Sequence, residues 1–352
     1  MRVTRDQARG QTRRGVIGRG AAALALGGLA LPALGGRARA EAGAIRITRQ
    51  PSIIYLPTYV IERQRLVQKH AAALGLGPVE AGFTTFSGGG NATDAMLAGS
   101  IDVVNTGPGN MMLLWDRTRG GVQGIAASSA LPLILVSRNP AIKGLADFGP
   151  KDRIAVPTVR VSTQALLLQM ACAKQFGAAD ANKLDANTVQ LGHPDAFAAL
   201  LNPTHEVGSH FSAPPFIYEE LDRVPGCHQV IADRDIIGGP LTNAIFFTTT
   251  KFAAANPKLV QALRLATEEA LAFFRADPGA AVDIYREMSG DRMEKAAVMA
   301  MLDRPGMRDF NPQPQGTFAI ATHMHTAGLL KTQPKGWQDY MLPELRDFGG
   351  AS

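Results

Sequence analysis

Gly88-Gly89-Gly90-Asn91-Ala92-Thr93-Asp94-Ala95-Met96-Leu97-Ala98-Gly99-Ser100-Ile101-Asp102-Val103, followed three residues later by Thr106-Gly107-Pro108, is the stretch on which the fold turns. Residues 79–86 ahead of it read as a strand and 91–98 as a short helix. Residues 101–104 read as a further strand, which Asn105-Thr106-Gly107-Pro108-Gly109-Asn110 joins to a helix at 111–117. A strand that hands over through glycine to a helix, twice in succession, is the repeating unit of an α/β sheet.

The same alternation extends in both directions. Ile45-Arg46-Ile47 gives a first strand and 58–74 a helix. Residues 131–137 and 153–156 give strands, 163–176 a long apolar helix, 188–191 a strand, 194–201 a helix and 206–211 a strand. Helices between strands predict parallel pairing. After a strand at 244–249 the pattern becomes helical, with segments at 257–276, 278–288, 292–301 and 317–330. Asn256-Pro257 and Asp277-Pro278 supply a cap followed by proline in the first turn.

The chain has 352 residues, 46% hydrophobic and 19% charged, with two cysteines. That composition excludes disorder, a disulfide-stapled miniprotein and a collagen-like repeat. The formal charge of +6 is concentrated at one end, since residues 1–40 hold eight arginines and one acid, Asp6. Without them 28 bases face 29 acids, a net charge of −1, so a nucleic-acid-binding reading from basicity fails. Those forty residues run from an arginine-rich start, through the apolar stretch 21–34, to Ala38-Arg39-Ala40, the order of a cleaved export signal. Thr12-Arg13-Arg14-Gly15-Val16-Ile17 resembles the twin-arginine motif. The expectation is a soluble periplasmic protein, in which Cys172 and Cys227 form either a disulfide or two free thiols.

Three strand-to-helix loops carry the chemistry: residues 86–91, 105–110 and 156–163. Glycine lets backbone N–H groups turn toward a ligand, and a helix start adds unpaired donors and a positive dipole end. Such loops suit oxyanions such as sulfonate, carboxylate or nitrate. The first loop lacks the Gly-Lys-Ser/Thr of a P-loop and the third spaced glycine of a dinucleotide fingerprint. No Gly-x-Ser-x-Gly elbow or His-Glu-x-x-His motif supports a hydrolase. An enzyme and a resident cofactor are therefore not expected.

In order, Tyr55-Leu56-Pro57-Thr58-Tyr59, the 88–103 stretch and Thr106-Gly107-Pro108 resemble the nitrate/sulfonate/taurine group of ABC-transporter substrate-binding proteins, which also includes binders of thiamine precursors. Ala95-Met96-Leu97-Ala98-Gly99-Ser100-Ile101-Asp102 carries most of the likeness, and Leu145-Ala146-Asp147-Phe148 resembles the approach to that family's second lobe. The resemblance covers about residues 45–288. It implies an α/β periplasmic-binding-protein fold of type II, with two lobes hinged by two strand crossings and a ligand cleft between them. Lobe one would comprise 41–135 with 243–352, and lobe two 136–242. Carried over by position, Tyr55, Gly89, Gly90, Asn91, Thr106, Ser162 and Thr163 would line the cleft. The chain departs from the family at Glu206-Val207-Gly208-Ser209-His210 and at Arg65, where a glycine is usual.

Arg160 could pair with an anionic solute. His210, at the end of a strand, is a ligand candidate, and His193 reads more readily as part of a helix start with Pro194 and Asp195. His323 and His325 fall on different faces of a helix, so no metal site is expected there. The implied partners are a small solute and an inner-membrane ABC permease with its ATPase, the chain acting as a monomer. A sensor-coupled binding protein and a binder of thiamine or pyrimidine precursors are the alternatives.

Overall fold

The computed structural model describes residues 41–347; the export signal read over 1–40 lies outside the described residues. The chain runs β1 (Ala44–Arg49), α1 (Leu56–Arg63), α2 (Leu66–Ala73), β2 (Glu80–Thr85), α3 (Gly89–Leu97), β3 (Val103–Thr106), α4 (Pro108–Arg117) and β4 (Val122–Ser129). It continues β5 (Ile134–Ser137), β6 (Arg153–Val156), α5 (Thr163–Phe176), β7 (Thr188–Gln190), α6 (His193–Leu201), β8 (Val207–Ser212), α7 (Phe216–Arg223) and β9 (His228–Ala232). The remainder is α8 (Asp233–Ile237), β10 (Ala244–Thr249), α9 (Thr250–Ala255), α10 (Pro257–Ala276), α11 (Pro278–Ser289), α12 (Lys295–Leu302) and α13 (Thr317–Thr326).

The strands form two five-stranded sheets, ordered β2-β1-β3-β10-β4 and β7-β6-β8-β5-β9. The pairs joined through helices, β1 with β2 and β3 and β6 with β7 and β8, are parallel. β10 runs antiparallel to β3 and β4, and β5 antiparallel to β8 and β9. Both sheets are therefore mixed, which corrects the parallel pairing expected from the alternation. β5 and β10 reach their sheets from the other sheet and not over a crossover helix, so nothing forces them parallel. No helix among the described residues is long and apolar enough to cross a membrane.

Each sheet is buried by its helices. Ile45, Ile47, Val103, Val104, Phe246 and Phe247 are fully buried in the first, and Leu135, Val136, Ile154, Ala155, Val156 and Phe211 in the second. Edge strand β4 is covered by the C-terminal segment: Ala127 N donates to Pro312 O at 2.9 Å, and Leu342 N to Gly124 O at 2.9 Å. That cover also satisfies an exposed edge. The helix starts read from sequence hold, with Asn256 flanking α10 and Asp277 accepting from Ala280 N at 2.9 Å to cap α11.

The single helix expected over 58–74 is two helices. Arg65 stands between α1 and α2 at φ 53°, ψ 40°, a left-handed conformation that costs a residue with a Cβ about 1–2 kcal/mol. The chain keeps the break that a glycine would make, with a residue poorly suited to it. Cys172 and Cys227 are free thiols, held up to about 11 and about 12 chiefly by burial.

Candidate functional site

Four helices begin at one cleft. α3 and α4 follow strands of the first sheet, while α5 and α6 follow β6 and β7 of the second. Gly89 from the first turn of α3, Gly107 preceding α4, Ser162 and Thr163 opening α5, and His193 opening α6 all line it. Glycine stands before α3, α4 and α6 where a Cβ would lie 3.0 Å from Pro157 O, 2.4 Å from Thr163 Oγ1 and 2.9 Å from Ser87 O, and Ser162 Oγ accepts from Ala165 N at 3.3 Å before α5.

The lobes stand nearly shut on the cleft, whose free space of about 20 Å³ has room for about one water molecule. Among the described residues its lining contains no Asp, Glu, Lys or Arg. The polar groups are hydroxyls and amides. Gln50 Nε2 donates to Tyr55 Oη at 2.6 Å and to Thr106 Oγ1 at 2.9 Å, fixing both. Burial raises the Tyr55 phenol well above its usual range, so it is a neutral donor. Thr163 Oγ1 is buried without a hydrogen-bond partner, a polar atom whose natural complement is a ligand. Four positive helix ends and oriented N–H and O–H groups have the electrostatics that suit a small anion.

The loops of the two sheets touch across this cleft. Ser52 Oγ donates to Pro214 O at 2.5 Å, and Gly90 N to Thr158 Oγ1 at 3.3 Å. The closest approach is at α4: a Cβ on Gly109 would lie 2.2 Å from Val161 O, and one on Gly107 2.4 Å from Thr163 Oγ1. Only glycine fits where these backbones meet.

Of the residues singled out in the sequence, Tyr55, Gly89, Thr106, Ser162 and Thr163 line the cleft together. Gly90 lies beside it through its bond to Thr158, and Asn91 is exposed on α3 with Ser87 Oγ 3.5 Å from its Nδ2. Arg160 is exposed at φ 67° and lines a separate depression with Asp185, 3.9 Å from its Nε. His210 is fully buried behind the cleft, and its neighbour His193 is the histidine that reaches it. Sequence reasoning also missed Gln50, Gln164 and Asn243, which line the cleft but lie in no glycine loop. Gln50 directly follows β1, and that strand-end position is the one signal that could have found it.

No family model matches the chain. It is 27% identical over 227 residues to a binding protein of Brucella abortus and to one of Brucella suis, an overlap of 64% of this chain. The match spans about 65% of the length of those relatives. Among solved structures it resembles the alkanesulfonate-binding protein of Xanthomonas axonopodis pv. citri bound to MOPS, at TM-score 0.66 and 19% identity, over 84% of this chain and 96% of that one. It also resembles the periplasmic nitrate-binding protein of Synechocystis PCC 6803, at TM-score 0.61 and 11% identity, over 83% of each chain. The chain has the two-lobed α/β fold of these periplasmic binding proteins.

Proposed function

We propose that this chain is a periplasmic solute-binding protein that delivers a small anionic organic solute, of sulfonate, carboxylate or nitrate-like chemistry, to an ABC importer. The observation that carries this reading is the convergence of four helix starts on a cleft lined by no charged side chain. Lobe one comprises 41–135 with 243–352 and lobe two 136–242, closing about the two crossings between sheets. A solute that touches both lobes shifts the population toward the closed form, which the permease and its ATPase then recognise. No covalent step is required. Export by the twin-arginine signal and a monomeric state belong to the same reading.

The test is a thermal-shift screen of the purified, unfolded and refolded protein against MOPS, short alkanesulfonates, nitrate, carboxylates and thiamine precursors. A solute at about 100 times its dissociation constant adds about 2.7 kcal/mol of stability. A selective rise with one anion class, lost in Thr163→Val, supports the reading. A rise with thiamine precursors alone, or no rise with any anion, refutes it.

A further inference from the structure

Behind the cleft, within the second lobe, lies a buried chain of hydrogen bonds that solute binding as described above does not use. Gln164 Nε2 is 3.3 Å from His193 Nε2, His193 Nδ1 is 2.9 Å from His210 Nε2, and His210 Nδ1 is 2.6 Å from Glu220 Oε1. Gln164 and His193 line the cleft, while the His210 and Glu220 side chains are fully buried. Glu220 Oε2 has no partner. The His193 ring stacks on Phe216, and β5 and β6 set Val136 and Ala155 opposite His210.

The bond directions follow from the carboxylate, which only accepts. With Glu220 ionised, His210 must donate from Nδ1. If the pair of imidazoles is neutral, His210 Nε2 then accepts from His193 Nδ1–H, and His193 presents a bare Nε2 to Gln164 and the cleft. One added proton reverses the chain. It lands on His193 Nε2, the Nδ1 proton of His193 moves to His210 Nε2, and the positive charge rests on His210 against Glu220. The cleft then faces a neutral N–H donor in place of a lone pair; the His193–His210 and His210–Glu220 bonds persist, while Gln164 must turn its amide so that Oε1 meets the new N–H.

We infer that the His193–His210–Glu220 chain is a polarity switch for the cleft, so that an oxyanion binds together with one proton. An oxyanion has no donor to offer a bare imidazole nitrogen, whereas the protonated chain supplies one. The oxyanion itself rests on the function proposed above; the switch does not. Burial, together with positive charge on His210, holds His193 far below its usual pKa, which agrees with the charge residing on the inner ring. The other titratable groups near the chain are few. On α7, Glu219 is held by Arg223 at 2.9 Å, Cys227 feels Glu220 as a neutral thiol, and Asp195 lies in the first turn of α6. α5 contributes only the neutral Gln164.

Nitrogen-15 NMR of histidine-labelled protein from pH 5 to 9, without solute, reads the switch directly. His193 is expected to exchange its Nδ1–H for Nε2–H as pH falls, at the same midpoint at which His210 becomes doubly protonated. In Glu220→Gln, which keeps an acceptor and loses the charge, that midpoint drops. Calorimetry with methanesulfonate, whose own charge is constant over this range, should show affinity falling about tenfold per pH unit above the midpoint. His193→Gln, a permanent donor, should flatten that slope, and it serves if the Glu220 variant does not fold. A His193 tautomer that stays the same throughout, or methanesulfonate affinity equal at pH 6 and pH 8, overturns the inference. A tautomer exchange with no methanesulfonate binding keeps the switch and counts against the oxyanion; binding without the exchange does the reverse.

Discussion

Replacing Gly109 with alanine separates closure from folding. A Cβ there would lie 2.2 Å from Val161 O and 2.5 Å from Leu166 Cδ1, against an ordinary contact of 3.4–4 Å. The carbonyl is backbone at the start of α5 and cannot swing aside, so α4 and the 156–163 loop must part by about 1 Å, the margin by which that contact falls short of an ordinary one. Overpacking of this kind costs about 1–3 kcal/mol. The clash joins elements of different sheets, so it exists only when the lobes meet. Within α4 alone, alanine improves on glycine by about 0.5–1 kcal/mol. The variant should therefore melt no lower than wild type without solute, yet bind its solute about 5–150-fold more weakly. Calorimetry and small-angle scattering, with and without the solute found in the thermal-shift screen, measure both halves. Unchanged affinity, with the same contraction on binding, would refute closure across this contact.

Further outcomes are expected from single sites. Burial raises the Asp233 carboxyl to about 7, above its unfolded value of about 3.9, so its contribution to stability is full below about pH 4 and is lost as pH rises through 7. Urea titrations should show Asp233→Asn gaining on wild type by up to about 4 kcal/mol between pH 4 and pH 8; parallel curves would contradict this. Arg65→Gly should stabilise by about 1 kcal/mol, because glycine removes the left-handed strain between α1 and α2 at some cost in chain entropy. Ser162→Ala should cost about 1 kcal/mol in denaturant unfolding even without solute, since the hydroxyl caps α5.

The elements legible in the sequence were those marked by local chemistry. Asp277-Pro278 marked the start of α11 through a local cap, and Pro257 marked that of α10, whose Asn256 side chain makes no cap bond. The loops at 86–91, 105–110 and 156–163 likewise marked three helix starts, those of α3, α4 and α5. β4 went unread because in Val122-Gln123-Gly124-Ile125-Ala126-Ala127-Ser128-Ser129 Gly, Ala and Ser outnumber the larger residues and no alternation appears. Their size answers to a distant segment: a Cβ on Gly124 would sit 2.4 Å from Met341 Sδ. β9, half-exposed along its length, offered no periodic apolar face either. His193 read as a helix start, which it is; that it also reaches the cleft and meets His210 depends on how α6 packs on β8. No spacing along the chain encodes that meeting.

A cleft without fixed cations has a consequence for kinetics. Dissolved ions weaken a lysine or arginine at a site mouth, because charges in water are screened over about 8 Å at physiological ionic strength. Dipole ends and hydroxyls enclosed between two lobes are shielded from that atmosphere. Affinity for an anion in the proposed site should then hold nearly constant as ionic strength changes. With no Lys or Arg in the lining among the described residues, the approach of an anion should gain little speed in dilute medium. A site built this way selects by how completely it replaces an anion's hydration shell, and salt has little purchase on that exchange.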